Sequence, residues 1–217
     1  MTGFLSAAAI LAAERHRRLT GEGQLVELSL ADVGMAVAGH LGLIGEAILT
    51  AEPRGRYGND LYGTFGRDFG TRDGRRVIAL ALTARQWRSL GDATGLTGRF
   101  VQLESRLGLD LRGEGDRWHG RREICELLAP WIAQRDLPDV REVFERHGVL
   151  WGPYQTFKQL VAEDPRASTA NPLFAEVDHP DLGCYLTSGS PLRFGAAAAV
   201  PPRPAPALGQ HAHEVAA

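Results

Sequence analysis

The order of apolar and polar residues at the start of the chain predicts two helices separated by a strand. Apolar side chains recur at helical spacing from residue 4 to residue 12, after a cap at Thr2 and before a stop at Gly21. Apolar and polar residues then alternate over residues 26–30, as in a strand, and helical spacing returns over residues 31–49. Helix, strand and helix in succession are typical of an α/β layer.

A glycine-containing stretch separates this opening from a region that predicts a small α+β domain. Residues 51–66 hold four glycines and one proline without clear periodicity, which indicates a loop or linker. Strand-like segments at 67–71 and 75–82 then flank an Asp73-Gly74 pair, which predicts a hairpin. Helical patterns follow at Arg85–Leu90, Trp118–Gln134 and Val140–His147, and we expect Pro130 to kink or split the second of these helices.

The remainder of the chain predicts short elements and an extended end. Residues 149–157 indicate a short strand and turn, residues 158–163 a helix, and residues 181–187 an extended segment. From Gly195 onward the chain is rich in Pro and Ala, which predicts an extended strap over the surface.

Composition narrows the function classes. The chain has 217 residues and a formal net charge of -2, so it lacks the basic field that nucleic-acid binding requires. No apolar run reaches the ~20 residues that cross a bilayer, and residues 1–15 carry no secretory signal pattern, so we expect no membrane partner and a cytoplasmic location. Cys125 and Cys184 stand alone, which predicts buried free thiols, and no metal site is indicated because His211 and His213 lack a third ligand.

One segment, RYGNDLYGTFGRDF, carries the strongest candidate chemistry. Its glycines permit positive φ and close backbone approach to a ligand, and its Asn, Tyr and Arg side chains could donate to a carboxylate or thioester oxygen. The alternative is a plain interdomain linker. No carboxylate elsewhere has a pairing pattern that nominates it as acid, base or nucleophile, so no catalytic residue is predicted in the chain. The candidate substrate-binding residues are Gly58, Asn59, Tyr62, Gly63, Phe65, Gly66 and Arg67.

An ordered set of motifs resembles one enzyme family. The segments RRLTGEGQLVELSLADV, FGTRDGRRVIALALTARQW, GPYQTFKQLVAEDP and NPLFAEVDHPDLG are similar in order and spacing to the second half of the family III CoA-transferases, over nearly all of residues 2–214. The resemblance implies an α/β fold in which part of a Rossmann-like lobe is followed by an inserted small α+β domain. It assigns residues 1–50 to the lobe, 51–67 to a linker and glycine-containing loop, 68–150 to the small domain, and 151–217 to a return segment and strap.

The same resemblance implies an activity and its partners. The enzyme would move coenzyme A between the two carboxyl groups of one unsaturated, methyl-branched diacid, with coenzyme A entering as part of an acyl-CoA substrate and no tightly bound cofactor. Two such chains would interlock as a homodimer. The formyl-CoA transferase subfamily is disfavoured, because this chain has residues 60–65 where that subfamily has a run of glycines. The α-methylacyl-CoA racemase subfamily is disfavoured, because this chain has Ala84 in place of an acidic residue.

The family mechanism uses an aspartate nucleophile that this chain is not expected to contain. Matching Thr2-Gly3 to the start of the family's helix places that aspartate about two positions before Met1. We therefore expect a truncated chain, inactive alone, that requires an N-terminal half. Two alternatives stay open: a non-catalytic remnant or subunit, and another acyl-CoA:carboxylate CoA-transferase of the same family.

Overall fold

A computed structural model describes residues 1–180, 182–198 and 200–216, with the side chain of residue 215 also outside the description. The chain divides into two compact units, Met1–Arg56 and Tyr57–Ala217, and each is described by itself. The predicted mixed α/β class is confirmed.

The first unit consists of three helices. Helix α1 (Thr2–Thr20) ends at the predicted stop, Gly21, which adopts a left-handed conformation with φ 79°. The predicted cap at Thr2 is wrong: the capping position is Met1, and no side chain hydrogen bonds to the first turn. None of the residues of α1 is buried, so its apolar side chains, such as Phe4 and Leu11, lie exposed.

The predicted strand at residues 24–30 is wrong. Residues 22–29 form neither helix nor strand, and α2 (Leu30–His40) begins directly after them. The Ser29 hydroxyl accepts the Asp32 amide hydrogen at 3.4 Å and so caps α2. Alternation creates a strand only where a second strand supplies hydrogen bonds, and no described segment pairs with this one.

The predicted single helix over residues 31–49 is two helices. Helix α3 (Leu43–Leu49) is separated from α2 by Gly42, whose φ of 77° is incompatible with a continuing right-handed helix. Among the described residues no helix taken singly has both the length and the apolar composition for crossing a membrane. The α2 and α3 pair, bent by 63°, satisfies that test on length and composition only.

The second unit is organised by a three-stranded antiparallel sheet. Strands β1 (Phe65–Gly70) and β2 (Arg76–Ala81) form the predicted hairpin, and β3 (Leu150–Pro153) pairs with the other side of β2. The turn contains Gly74 at φ 75°, a conformation that favours glycine. The hairpin register places Gly70 opposite Arg76, which determines the neighbours of Asp68 described below.

Five helices follow β2 before the chain returns to β3. The sequence did not predict α5. The long helix predicted over 118–134 is interrupted at Gly120, which has φ -84° and ψ 8°, and glycine disfavours helix. Pro130 lies within α7 and does not split it, whereas a kink at Pro130 stays a prediction. The helices are α4 (Ala84–Thr94), α5 (Thr97–Leu107), α6 (Glu114–His119), α7 (Arg121–Ala133) and α8 (Leu137–His147).

One hydrophobic core joins these helices to one face of the sheet. It draws on residues from Phe65 to Val149, including the fully buried Val77, Ile124 and Phe144. Arg117 is also fully buried, and its guanidinium donates to four backbone carbonyls and contacts no carboxylate among the described residues. Those carbonyls belong to Ala81, Leu82, Leu111 and Arg112. Burial lowers the pKa of Arg117 from its usual range, with Glu114 acting in the opposite direction.

The return segment carries a second, two-stranded sheet. Helix α9 (Phe157–Glu163) matches its prediction and begins with a capping box between Thr156 and Gln159. Strand β4 (Phe174–His179) was not predicted. Strand β5 (Gly183–Ser188) contains residues 183–187 of the predicted extended segment, while Leu182 lies in a turn and Asp181 lies outside the described residues. The Pro/Ala-rich strap forms turns and coil before a short helix α10 (Ala212–Ala216), and its residues 199 and 217 lie outside the described ranges.

His179 connects the strap to the two-stranded sheet. Its buried ring stacks on Tyr185 with centroids 4.1 Å apart, and its Nε2 lies 3.0 Å from the Thr187 hydroxyl oxygen. Its Nδ1 accepts the Ala205 amide hydrogen at 3.4 Å, so the proton of the neutral ring lies on Nε2. Nδ1 thus holds the strap, and Nε2 holds the ring to β5.

Replacing Arg117 should destabilise the chain strongly. Arg117→Met removes all the donors to four carbonyls, and the loss should be about 3 kcal/mol or more in free energy of unfolding, since each unsatisfied buried group costs roughly 1–3 kcal/mol. Urea unfolding followed by tryptophan fluorescence measures it. Arg106→Met, at an exposed position of α5, is the matched control, and an equal effect of the two variants would contradict the anchoring role of Arg117.

Replacing His179 should free the strap without unfolding the sheet. His179→Phe keeps a ring to stack on Tyr185 but removes both hydrogen bonds, so amide hydrogen exchange near Ala205 should accelerate severalfold, as expected from losing roughly 1 kcal/mol locally. Thr187→Val is the matched control, because it leaves the Ala205 contact in place. Unchanged exchange in His179→Phe would show that the strap is held by other contacts.

Candidate functional site

The candidate segment leads into β1 and, with β1, β2 and α7, borders an open pocket. The pocket has a volume of about 540 Å3. It is lined by backbone and polar side chains on one side and by α7 on the other, and two arginine side chains reach it. The lining residues are Gly58, Asn59, Arg67, Asp68, Phe69, Gly70, Arg76, Cys125 and Ala129.

Three of the seven predicted binding residues line this pocket. Gly58 has φ 60° and shapes the loop, Asn59 directs its amide into the strand pair, and Arg67 is about half exposed. Tyr62 packs its ring against Tyr57 and Trp118, with centroids 5.7 and 5.0 Å away. The substrate-binding role of the set stays a prediction.

The other predicted residues support the loop from within. Gly63 has φ 84°, which suits a tight turn. Phe65 is buried in the core beside Trp87. Gly66 is buried so closely that a Cβ would lie 2.7 Å from Leu80, so only glycine fits between the loop and β2.

Asp68 is a nearly buried carboxylate that is fully engaged in hydrogen bonds. The Asn59 amide donates to its Oδ1 at 2.8 Å, and Arg76 Nε donates to its Oδ2 at 2.6 Å, with a second bond from Arg76 Nη2. Burial alone would raise the pKa of Asp68, but the hydrogen bonds from Asn59 and Arg76 outweigh it and hold the pKa below the usual value. Asp68 and Arg76 therefore form an ion pair that positions Asn59 at the pocket edge.

Asp60 lies between two arginines. Its Oδ1 is 3.2 Å from Arg67 Nη1, and its Oδ2 is 3.4 Å from Arg121 Nε. Its Oδ1 and Arg121 Nε are buried and find no partner with hydrogen-bond geometry among the described residues, so both contacts are ion pairs only. The Arg121 guanidinium lies 3.8 Å from the centroid of the Trp118 ring, a cation–π arrangement.

Cys125 on α7 contributes a neutral thiol to the pocket. Burial raises its pKa to about 11, and the negative charge of Asp60 acts in the same direction against the arginines. The thiol is therefore protonated at neutral pH and is a poor nucleophile. The prediction that both cysteines are buried is wrong: Cys125 is only half-buried, and Cys184 is exposed on β5 because a two-stranded sheet covers little surface.

Metal chemistry has no candidate in this pocket. Within residues 1–180, 182–198 and 200–216, His, Cys, Asp and Glu side chains form no group of three that could hold a metal ion. His211 lies 3.2 Å from Glu214, next to α10. What the pocket offers chemically is hydrogen-bond donors and positive charge for an anionic oxygen.

Several pocket residues were missed by the sequence analysis. The hairpin register could have found one pair, because Gly70 opposite Arg76 places Asp68 and Arg76 as diagonal neighbours on one face. No such signal marked Cys125, which lines the pocket, or Trp118 and Arg121, which contact Tyr57 and Asp60 of the loop beside it. These residues reach the loop only through the tertiary packing of α6 and α7.

Comparison with known proteins places this geometry in context. The family model described as CoA-transferase family III matches residues 1–212. The chain is 54% identical over 215 residues to the 2-methylfumaryl-CoA isomerase of Chloroflexus aurantiacus, covering 99% of this chain and 53% of that protein. It is 28% identical to the succinyl-CoA:mesaconate CoA-transferase of Haloarcula hispanica, over 99% of this chain and 51% of that protein.

A solved structure shares the fold. A CaiB/BaiF family protein from Brucella suis matches with a TM-score of 0.67 at 22% identity, covering 99% of this chain and 53% of that one. The chain thus spans about half the length of the curated relatives and of the structure that it matches.

The Asp68 ion pair should stabilise the chain in a pH-dependent manner. A lowered folded-state pKa contributes stability that is complete above the unfolded value, near 3.8, and that is lost as pH falls through the folded value. Asp68→Asn should therefore cost about 1–3 kcal/mol of unfolding free energy at pH 7 and pH 5, with a smaller difference at pH 3. Urea unfolding at the three pH values measures this.

The matched control for this variant is Asp110→Asn, which breaks an exposed pair with Arg112. It should change stability less than Asp68→Asn at pH 7. A difference between the unmodified chain and Asp68→Asn that stays constant down to pH 3 would contradict the ionised state of Asp68.

Proposed function

The chain belongs to CoA-transferase family III, and we propose that it is the C-terminal portion of an enzyme that moves coenzyme A between the two carboxyl groups of 2-methylfumaryl-CoA. The observation that carries the proposal is the 54% identity, over nearly the whole chain, to an enzyme named for that reaction. The relative named for CoA transfer to mesaconate, the same branched diacid, is 28% identical and supports the substrate class.

The pocket beside the glycine-containing loop suits the free carboxylate of such a substrate. Arg67 presents a half-exposed guanidinium beside Gly58 and Asn59, and a guanidinium can hold a carboxylate through two parallel hydrogen bonds. Asp68 and Arg76 neutralise one another at the same edge. We propose that Arg67 contacts the carboxylate that does not carry coenzyme A, and that Gly58, Asn59, Tyr62 and Gly63 complete the substrate-facing loop.

The proposed chemistry uses an aspartate supplied from outside this chain. Its carboxylate attacks the thioester carbonyl, so a mixed anhydride forms and the CoA thiolate leaves. The thiolate then attacks the aspartyl carbonyl, which releases the first substrate carboxylate and leaves an aspartyl-CoA thioester. The second substrate carboxylate repeats these two steps in reverse and receives coenzyme A. The loop of this chain would exclude water from the reactive anhydride.

We further propose the assembly in which this happens. The chain would work with an N-terminal half that contributes the aspartate and the remainder of the large lobe, as an interlocked homodimer in the cytoplasm. The exposed apolar side chains of α1 and α2, such as Phe4 and Met35, support a missing partner surface, because exposed apolar patches usually mark interfaces.

Activity should appear only when the missing half is supplied, and it should depend on Arg67. The chain fused behind the N-terminal half of the Chloroflexus aurantiacus relative should convert 2-methylfumaryl-CoA to its C4 thioester isomer, measured by liquid chromatography, whereas the chain alone should not. Arg67→Gln in the fusion should lower kcat/KM about tenfold to a hundredfold, the range expected for losing a charged hydrogen bond.

The matched control is Arg106→Gln, at an exposed position of α5, which should leave the rate unchanged. A folded but inactive fusion would contradict the proposed reaction. An active fusion that is indifferent to Arg67→Gln would contradict only the role of Arg67.

A further inference from the structure

Two arginines contact Asp60, and their side chains differ in how far they are exposed to the pocket. The Arg67 side chain is 45% exposed and lines the pocket, whereas the Arg121 side chain is 16% exposed and the Asp60 side chain 11%. Arg67 is thus the member of this group, hereafter the Asp60 triad (Asp60, Arg67 and Arg121), that a ligand can reach.

Arg121 is held from several directions within the protein. Its guanidinium stacks on Trp118 at 3.8 Å, its Nη1 donates to the Trp118 carbonyl oxygen at 2.7 Å, and the Tyr57 ring lies 5.6 Å away. Its remaining contact, through Nε, is with Asp60. These contacts fix Arg121 in place and leave its charge directed at Asp60.

The charges of the Asp60 triad do not cancel. Two guanidinium groups against one carboxylate leave one positive charge in excess, while the neighbouring Asp68 and Arg76 balance each other and the Cys125 thiol is neutral. Without Arg121, Asp60 would neutralise Arg67 completely. A nearly buried carboxylate with one cationic partner would also hold that partner more tightly, since little water screens it.

We propose that Arg121 is a positioning residue that offsets the charge of Asp60 and so keeps Arg67 available to the carboxylate of the substrate. The inference rests on the proposed function of the pocket and assigns to Arg121 and Asp60 roles that nothing in the sequence indicated. Arg121 does not touch the substrate but acts through Asp60, and the excess charge of the triad favours a carboxylate over an uncharged group at Arg67.

The test compares ligand binding by the unmodified chain and by variants that change the net charge of the Asp60 triad. Binding of 2-methylfumarate is measured by ligand-observed NMR titration, with dimethyl 2-methylfumarate as the uncharged analogue in which both carboxylates are esters. Arg121→Gln should weaken 2-methylfumarate binding about fivefold to tenfold, the effect of one modest charge interaction, and should leave binding of the dimethyl ester nearly unchanged. Arg121→Lys, which keeps the charge, should bind nearly as the unmodified chain does.

A double variant separates charge from structure. Asp60→Asn with Arg121→Gln again leaves one positive charge in excess and should restore 2-methylfumarate binding, whereas Asp60→Asn with Arg67→Gln should not, because the contact itself is gone. Failure of the first double variant to restore binding, or unchanged binding in Arg121→Gln, would overturn the positioning role alone. An unmodified chain that binds the dimethyl ester as tightly as 2-methylfumarate would overturn the proposed carboxylate pocket and the inference with it.

Discussion

The carbonyl oxygen of Ala81, at the end of β2, is the point on which the second unit depends. It accepts a hydrogen bond from buried Arg117 Nε at 3.1 Å and another from the buried Thr64 hydroxyl at 2.9 Å. Thr64 belongs to the loop that precedes β1, and Arg117 belongs to α6. One carbonyl therefore joins the sheet, the glycine-containing loop and the helices that face it. The cost of burying the Arg117 charge without a carboxylate partner is offset by hydrogen bonds to four backbone carbonyls.

The arrangement of the pocket follows from this anchor. Because Arg117 fixes α6, the next residue, Trp118, presents its ring to the loop tyrosines, with its centroid 4.9 Å from that of Tyr57. The break at Gly120 then starts α7 with Arg121 folded back on the same ring. A local glycine and a distant buried arginine thus determine where Arg121 lies relative to Trp118 and Asp60.

Elements with a strong local signal could be predicted from the sequence, and elements that depend on distant contacts could not. The hairpin at Asp73-Gly74 and the end of α1 at Gly21 have chemistry that acts within a few residues. The alternation over residues 26–30 required a partner strand that the described chain does not provide. In the candidate site, Gly58, Asn59 and Arg67 could be predicted because they lie within one short stretch of sequence. Arg121 could not, because it reaches this stretch only through tertiary packing.

The pocket is better suited to binding than to covalent chemistry, and its own residues explain why. A carboxylate can attack a thioester only with a free oxygen lone pair and an accessible approach. Asp68 is nearly buried and accepts hydrogen bonds from Asn59 and Arg76, Asp60 is enclosed between two arginines, and the Cys125 thiol is protonated at neutral pH. Each potential nucleophile around the pocket is therefore occupied in positioning donors or is in the wrong protonation state. For the proposed reaction, the nucleophilic carboxylate would accordingly have to come from outside the residues around this pocket, and the proposed role of Arg67 is to bind the substrate carboxylate.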